Sequence, residues 1–443
     1  MLDSKALTKI QSIILITIIV VVAIGGGVAY VLLSGEEQSS DTIKIGVLAD
    51  LDNWRGECTW EGAVLAAEQI NAEGGILGRR IELIGEDDDS EIAPIDATKI
   101  STALTKLLTL HKVDFIISGT TIAEGVLIAQ DLYVQLKKIC LSIVNGIEVA
   151  TQRVLDDYDK YKYFFRIYPG NDTSIVKGMV DSILQLRELT GFNKIGLIGH
   201  DSISTTAIFE SYDFYLSEVY NFDLAYAGKF PADTFDFSSY LAAAEEAGTQ
   251  MLITGIGGEA GILLVKEWYD RQSPMVMWGV NSMAKESDFW DITDGKCENI
   301  VFNTLPVTVS YPLTSKTLPM RKDYIERWGH EPISSSAAAY DALRFILSGA
   351  IERAGTIETE SVIKSLEDTS VETSMVRNFV FTSSHDVMVG ENPNNPDDPH
   401  LVVLMFQWQA NETRVPVYPN SIMEEAGATY TFPDWPGPWD NLD

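Results

Sequence analysis

Apolar positions along the chain alternate between short continuous runs and longer stretches at helical spacing. Ile43, Ile45, Val47 and Leu48, interrupted only by Lys44 and Gly46, predict a buried strand over 43–48. Ala63, Ala66, Ala67 and Ile70 then recur at helical spacing and predict a helix over 59–72, which Gly74 and Gly75 stop. A strand over 81–84, a helix over 95–110, a strand over 113–118, a helix over 122–136, a strand over 138–143 and a short helix near Val149 follow. The rhythm restarts after 163–168: helices over 174–189, 206–220, 238–247 and 259–269 alternate with strands over 194–198, 224–229, 251–254 and 275–279. Strand and helix in regular alternation predict parallel, doubly wound sheets, because parallel strands need a helical crossover. Two successive runs of this kind predict two α/β, Rossmann-like lobes with a cleft between them. Helices over 318–328, 335–354 and 359–366 come next, then a β-rich end at 379–381 and 401–408. The stretch 415–443 is rich in Pro, Trp and Tyr and reads as a wrapped or loose tail whose Trp435 and Trp439 pack on the surface.

The N-terminus carries a different pattern. No charged residue occurs over 10–33, and a helix of that length reaches roughly 36 Å against about 30 Å of hydrocarbon. Lys5 and Lys9 precede the run, and Glu36, Glu37 and Asp41 follow it. That asymmetry predicts a short cytoplasmic segment 1–9, a single-pass transmembrane anchor 10–33, a linker 34–42, and everything beyond outside the cell. A cleaved secretory signal would deliver the chain to the same side. Ser4-Lys5-Ala6-Leu7-Thr8 also resembles the cleavage site of archaeal pilin-type signals, which would leave the apolar run in place.

Composition narrows the partners. Apolar residues make up 46% of the chain, enough for packed cores, and the formal net charge is -32. Nucleic acid and anionic membrane surfaces would repel such a chain and are excluded as partners. The three cysteines, Cys58, Cys140 and Cys297, form no disulfide framework, although one bridge of undetermined pairing stays open. Asn171-Asp172-Thr173 and Asn411-Glu412-Thr413 are glycosylation sequons.

Candidate chemistry is sparse. Gly255, Gly257 and Ala260 follow a strand as a dinucleotide fingerprint would, but no acidic residue ends the next strand to hold a ribose, so a tight turn is the better reading. The run 86–90 (Glu-Asp-Asp-Asp-Ser) lacks the alternating ligands and mid-loop glycine of a calcium loop and reads as a solvated turn. His111, His200, His330, His385 and His400 are scattered with no cysteine nearby in sequence, so no metal site is expected. His200-Asp201 ends a strand and reads equally as a ligand contact or a loop pair. No nucleophile elbow occurs, and Cys140 lies in an apolar strand. The chain therefore reads as a binding protein and not an enzyme, with no cofactor.

Five stretches together carry a family resemblance. They are the first strand with Gly62-Ala63 and the turn Ile70-Asn71-Ala72-Glu73-Gly74-Gly75-Ile76-Leu77-Gly78; Asp87-Asp88-Asp89 before a helix near Pro94; Phe165-Arg166; Ala339-Tyr340-Asp341-Ala342; and 379–386 with Phe406-Gln407-Trp408. In order and spacing they resemble the type I periplasmic binding proteins, specifically the branched-chain amino acid and amide receptors of ABC transporters. The resemblance implies two lobes joined by a three-crossover hinge, the first from 43–168 plus 305–378 and the second from 169–304 plus 379–414. It further implies a small-molecule ligand, an ABC permease with its ATPase as partner, and a monomeric binding unit. A ligand-sensing ectodomain working with a partner signalling protein is the alternative.

Carried over by position, the resemblance places ligand contacts on Trp54, Arg55, Gly119, Thr120, Thr121, Ile122, Val144, Asn145 and Gly146 in the first lobe. In the second it places them on Thr205, Gly257, Glu259 and Asn281. The chain departs from the amino-acid pattern here. Thr120 and Thr121 stand early, with Ile122-Ala123 where the hydroxyls would fall. No aromatic stands near Thr205, and Asn281 occupies the place of the acid that meets an amine, although Glu259 is near. Trp54 and Arg55 point instead to a ligand with a flat or apolar part and a carboxylate.

Overall fold

The computed structural model describes residues 42–90, 97–390, 392, 395 and 399–442, and also two short strands, Val22–Ile24 and Gly27–Ala29, paired antiparallel. Most of the run 10–33, expected as a membrane helix, lies outside the described residues; its two described pieces are strands. Among the described residues no helix is long and apolar enough to cross a membrane.

The chain divides into two compact units. Unit 1 comprises Met1–Pro169, Asp323–Val371 and Val380–Val387; unit 2 comprises Gly170–Lys322, Glu372–Phe379 and Met388–Asp443. The chain thus passes from one unit to the other at 169/170, 322/323, 371/372, 379/380 and 387/388. Specific packing explains these exchanges. Val309 and Leu313 are buried in the core of unit 2, which carries 305–322 there. Residues 372–379 follow because Thr314 Oγ1 donates to the Thr373 carbonyl at 2.7 Å and Thr317 Oγ1 to that of Ser374 at 2.8 Å. Residues 380–387 stay with unit 1, where Asp386 pairs with Arg166 at 2.7 Å, both side chains buried.

In unit 1 the elements are β1 (Ile43–Ala49), α1 (Trp54–Ala72), β2 (Ile81–Asp87), α2 (Ala97–Thr105), β3 (Phe115–Ser118), α3 (Ala123–Leu136), β4 (Ile139–Ser142), α4 (Glu148–Asp156) and β5 (Phe164–Arg166). The five strands pair in the order β2-β1-β3-β4-β5, all parallel. Continuous apolar strands such as β3 suit a sheet covered on both faces. Of two later helices, α10 (Ser334–Asp341) packs on α1, and α9 (Thr317–Trp328) reaches it through hydrogen bonds from Tyr324 to Glu61 and Arg327 to Glu68. Contact between α1 and α10 is close enough that a Cβ on Gly62 would fall 2.0 Å from the Ser336 carbonyl oxygen. Only glycine allows that approach.

Unit 2 repeats the plan with α5 (Asp172–Thr190), β6 (Lys194–His200), α6 (Ile203–Tyr212), β7 (Asp223–Phe230), α7 (Ser238–Glu246), β8 (Met251–Ile256), α8 (Glu259–Asp270), β9 (Val276–Asn281) and β10 (Val301–Asn303). Its sheet runs β12-β11-β10-β9-β8-β6-β7, where β11 (Met405–Gln409) and β12 (Thr413–Tyr418) add antiparallel at one edge. Each parallel sheet therefore has its first strand between its second and third. A switch point lies between first and third strands, where the loops leave in opposite directions and open a crevice.

Of the two readings of the tail, wrapped or loose, the described residues take the wrapped one. Residues 413–418 form the edge strand, and Trp435 and Trp439 are buried. Trp435 Nε1 donates to the Ser273 carbonyl at 3.0 Å, and the ring meets that of Trp268 with centroids 5.0 Å apart. Gln407 further binds the tail through both backbone groups of Thr431, at 2.8 and 2.9 Å. Burying two indoles outweighs the freedom of a loose terminus.

Candidate functional site

In unit 1 the switch point falls between β1 and β3, so the loops after them are the first place to look for a site. The loop after β1 enters α1 through Asn53, whose Oδ1 accepts from the Arg55 amide at 3.4 Å. That cap leaves Trp54 and Arg55 on the first turn with their side chains exposed, Trp54 to 51%. After β3 the chain runs through Gly119, Thr120 and Thr121 to Ile122, which precedes α3 without a side-chain cap. The first amides of α3 thus keep their partial positive charge for an anion. Thr121 donates its hydroxyl to the Ser90 carbonyl at 2.7 Å, and Asn145 Nδ2 donates to the Thr121 carbonyl at 2.6 Å. These bonds bring Thr121, Asn145 and the partly exposed Val144 and Gly146 to one end of the sheet.

Thr120 turns the other way. It is fully buried and donates to Asp88 Oδ2 at 2.6 Å while accepting from Ser118 Oγ at 3.1 Å. Asp88, expected in a solvated turn, is itself fully buried, because its amide extends the sheet by bonding the Ala49 carbonyl at 3.0 Å. Burial pushes its carboxyl up to about 6, opposed by the hydroxyls of Thr120 and Ser90. Sequence reasoning missed this residue, since three consecutive acids look like solvent.

In unit 2 the switch point falls between β6 and β8, and His200 joins the two loops there. Its Nε2 lies 3.0 Å from the Gly257 carbonyl oxygen and 3.3 Å from the Gly257 amide, while its Nδ1 is buried with no hydrogen-bond partner among the described residues. Gly258 precedes α8 with φ +65, its amide donating to Ser282 Oγ at 3.0 Å, and Glu259 is exposed on the first turn. The glycines after β8 therefore serve this turn. Thr205 and Asn281 face inward. Thr205 is buried beside Ser202, whose Oγ accepts from its amide at 3.1 Å. Asn281 Nδ2 donates to the Gly261 carbonyl at 3.0 Å, and its Oδ1 accepts from the Met283 amide at 3.1 Å, so both ends of the amide are engaged. A Cβ on Gly261 would stand 2.4 Å from that Oδ1, which shows how tightly the side chain is held.

Three further outcomes bear on chemistry. All three cysteines are free and buried, and burial pushes each thiol up to about 12. None is poised as a nucleophile. No cysteine lies near a histidine in sequence, but the fold brings His330 to Cys58 and Glu61 in unit 1. The two segments lie far apart in sequence, and only the approach of α9 to α1 joins them.

A family model described as periplasmic binding protein matches residues 42–390. The chain belongs to the periplasmic binding protein family. Solved structures similar to this periplasmic binding protein include a candidate branched-chain amino acid ABC transporter from Silicibacter pomeroyi, 20% identical, covering 89% of this chain and 100% of that one, with a TM-score of 0.75. A branched-chain amino acid transporter substrate binding protein from Streptococcus pneumoniae, in complex with isoleucine, is 19% identical over 85% of this chain and 100% of its own, with a TM-score of 0.60. An ABC transporter solute binding protein from R. palustris, in complex with benzoate, is 14% identical over 85% and 96%, with a TM-score of 0.61. At such identities the likeness shows the fold alone. Comparison with the curated proteins finds no match.

Proposed function

We propose that this periplasmic binding protein captures a small carboxylate-bearing solute outside the cell for an ABC importer. Its strand-end loops in both units are the proposed contact surfaces. The observation that carries the reading is the pair of features beside the unit 1 switch point: an α3 N-terminus without a side-chain cap, and an exposed Trp54-Arg55 turn. Helix amides and a guanidinium suit a carboxylate, and an indole suits a flat or apolar body. In unit 2, Glu259 on the exposed first turn of α8 is the candidate polar contact. An ordinary α-amino acid fits less well, because Asn281, in place of an acid, spends its side chain inside unit 2. The isoleucine and benzoate complexes of the structural relatives show that such folds hold carboxylates with an aliphatic or an aromatic body. The charge-free run 10–33 supports an anchor that keeps the binding units at the outer membrane face.

The test is a thermal-shift screen on the full chain in detergent micelles, covering amino acids, aromatic and aliphatic carboxylates, amides and sugars. A true ligand at a hundred times its dissociation constant adds about 2.7 kcal/mol of stability. A shift with carboxylates that Arg55→Ala abolishes supports the proposal. Shifts only with uncharged sugars, or none from folded, ligand-free protein, would refute it and favour the sensing ectodomain.

A further inference from the structure

Cys58 and Glu61 stand three residues apart on α1 and so share its inner face, where both are buried. After α9 the chain reverses at Gly329, whose φ of +81 favours glycine, and this turn delivers His330 beside them. One ligand atom from each of the three residues lies within 4.8 Å of the other two.

The orientation of the imidazole is informative. His330 Nδ1 lies 3.2 Å from the Glu331 carbonyl oxygen, a contact that suits a ring whose Nε2 is the ligand atom. His330 Nε2 faces the Glu61 carboxylate at 3.2 to 3.3 Å from its two oxygens. Glu61 already accepts from Tyr324 OH at 2.5 Å. A proton on Nε2 would satisfy the His330–Glu61 pair and Tyr324 also hydrogen-bonds Cys58, so an ion would have to displace these bonds from the three donor atoms gathered here. A nitrogen and an oxygen bound to one tetrahedral centre at 2.0–2.2 Å stand roughly 3.4 Å apart, close to the separation found.

We propose that Cys58, Glu61 and His330 bind a divalent transition-metal ion of the zinc class. Thiolate, imidazole and carboxylate form a borderline-soft set that disfavours magnesium and calcium. The Glu331 carbonyl is the outer partner that fixes the histidine tautomer, as metal-bound imidazoles require. Trp54 and Tyr324 wall the site, with ring centroids 4.6 and 5.5 Å from that of His330. On binding, the Cys58 S–H bond breaks, its electron pair forms the metal–sulfur bond, and the proton passes to solvent. The ion then ties α1 to the turn after α9, with Tyr324 OH or water in its fourth position.

The experiment uses the full chain, stripped of metal by a chelator. Zinc chloride is titrated calorimetrically in two buffers of different protonation enthalpy, and cobalt chloride is followed by absorption. The proposal expects one zinc per chain, release of about one proton, and a thiolate-to-cobalt charge-transfer band with tetrahedral d–d bands. Cys58→Ser should abolish the charge-transfer band, and His330→Gln, at a side chain 28% exposed, should weaken zinc at least tenfold without loss of fold by circular dichroism. Absence of zinc binding to the wild type overturns the proposal. So does binding that lacks the thiolate band, or that His330→Gln leaves unchanged, since either assigns the ion to the acidic surface.

Discussion

The buried carboxylate under the β3 loop offers a test whose size and sign follow from its surroundings. Asp88 is fully buried, and its carboxyl is pushed from the ordinary 3.8 up to about 6 by loss of water. A displacement of that size means the ionised side chain is less favourable in the native than in the unfolded state by about 3 kcal/mol. Because the native state holds the proton more tightly, the stabilising contribution is full below about pH 4. It is lost as pH rises through about 6 and is constant above that. Asp88→Asn removes the titration. Its amide keeps an acceptor for the Ser90 amide, now 3.2 Å from Oδ1. Its new NH₂ can donate to Thr120 Oγ1 if the Ser118–Thr120 hydroxyl chain reverses. Urea unfolding of both proteins at intervals from pH 4 to 8 should show the variant gaining about 2–3 kcal/mol relative to wild type across that range. Any misfit of the NH₂ shifts all pH values equally and leaves the slope. A stability difference independent of pH, or one that moves against the variant as pH rises, would refute the burial argument.

The other predictions probe packing and the proposed contact surface. Trp54→Ala, at a half-exposed indole whose ring meets that of His330, should lower unfolding free energy by about 0.5–1.5 kcal/mol while weakening any carboxylate found by the screen at least tenfold, read by calorimetry. Gly62→Ala should cost about 2–3 kcal/mol in urea unfolding, since the new methyl group meets a backbone oxygen that cannot yield. Arg166→Ala should cost about 3–5 kcal/mol by stranding Asp386, whereas Arg166→Met with Asp386→Leu should recover most of it. Trp435→Ala should lower unit 2 stability by about 3–5 kcal/mol; an unchanged melting temperature would mean that the tail packs for nothing.

The strand and helix rhythm, and with it the α/β class, is local information. A period of two or of 3.6 is written in the order of residues, and it places β1, β3, β6 and β8 and the helices after them. The candidate contacts Trp54, Arg55 and Gly257 through Glu259 come from the family resemblance, and which of these loops flank a switch point needs the strand order. Edge strand β12 escaped because its run contains Pro416 and adjoins a stretch of turn residues. What the sequence by itself leaves open is the direction of individual side chains. Thr120 and Thr121 are neighbours of one type, yet one donates into the core and the other to a loop carbonyl. Asp88 sits in an acidic run but is buried through its backbone pairing with β1. Cys58 and His330, like Arg166 and Asp386, meet only when distant segments pack, and the exchanges of chain between the two units follow from the same contacts. Local pattern determines which elements form, because backbone geometry is set by near neighbours. Long-range burial decides which polar groups lose water, and through that which groups remain for chemistry.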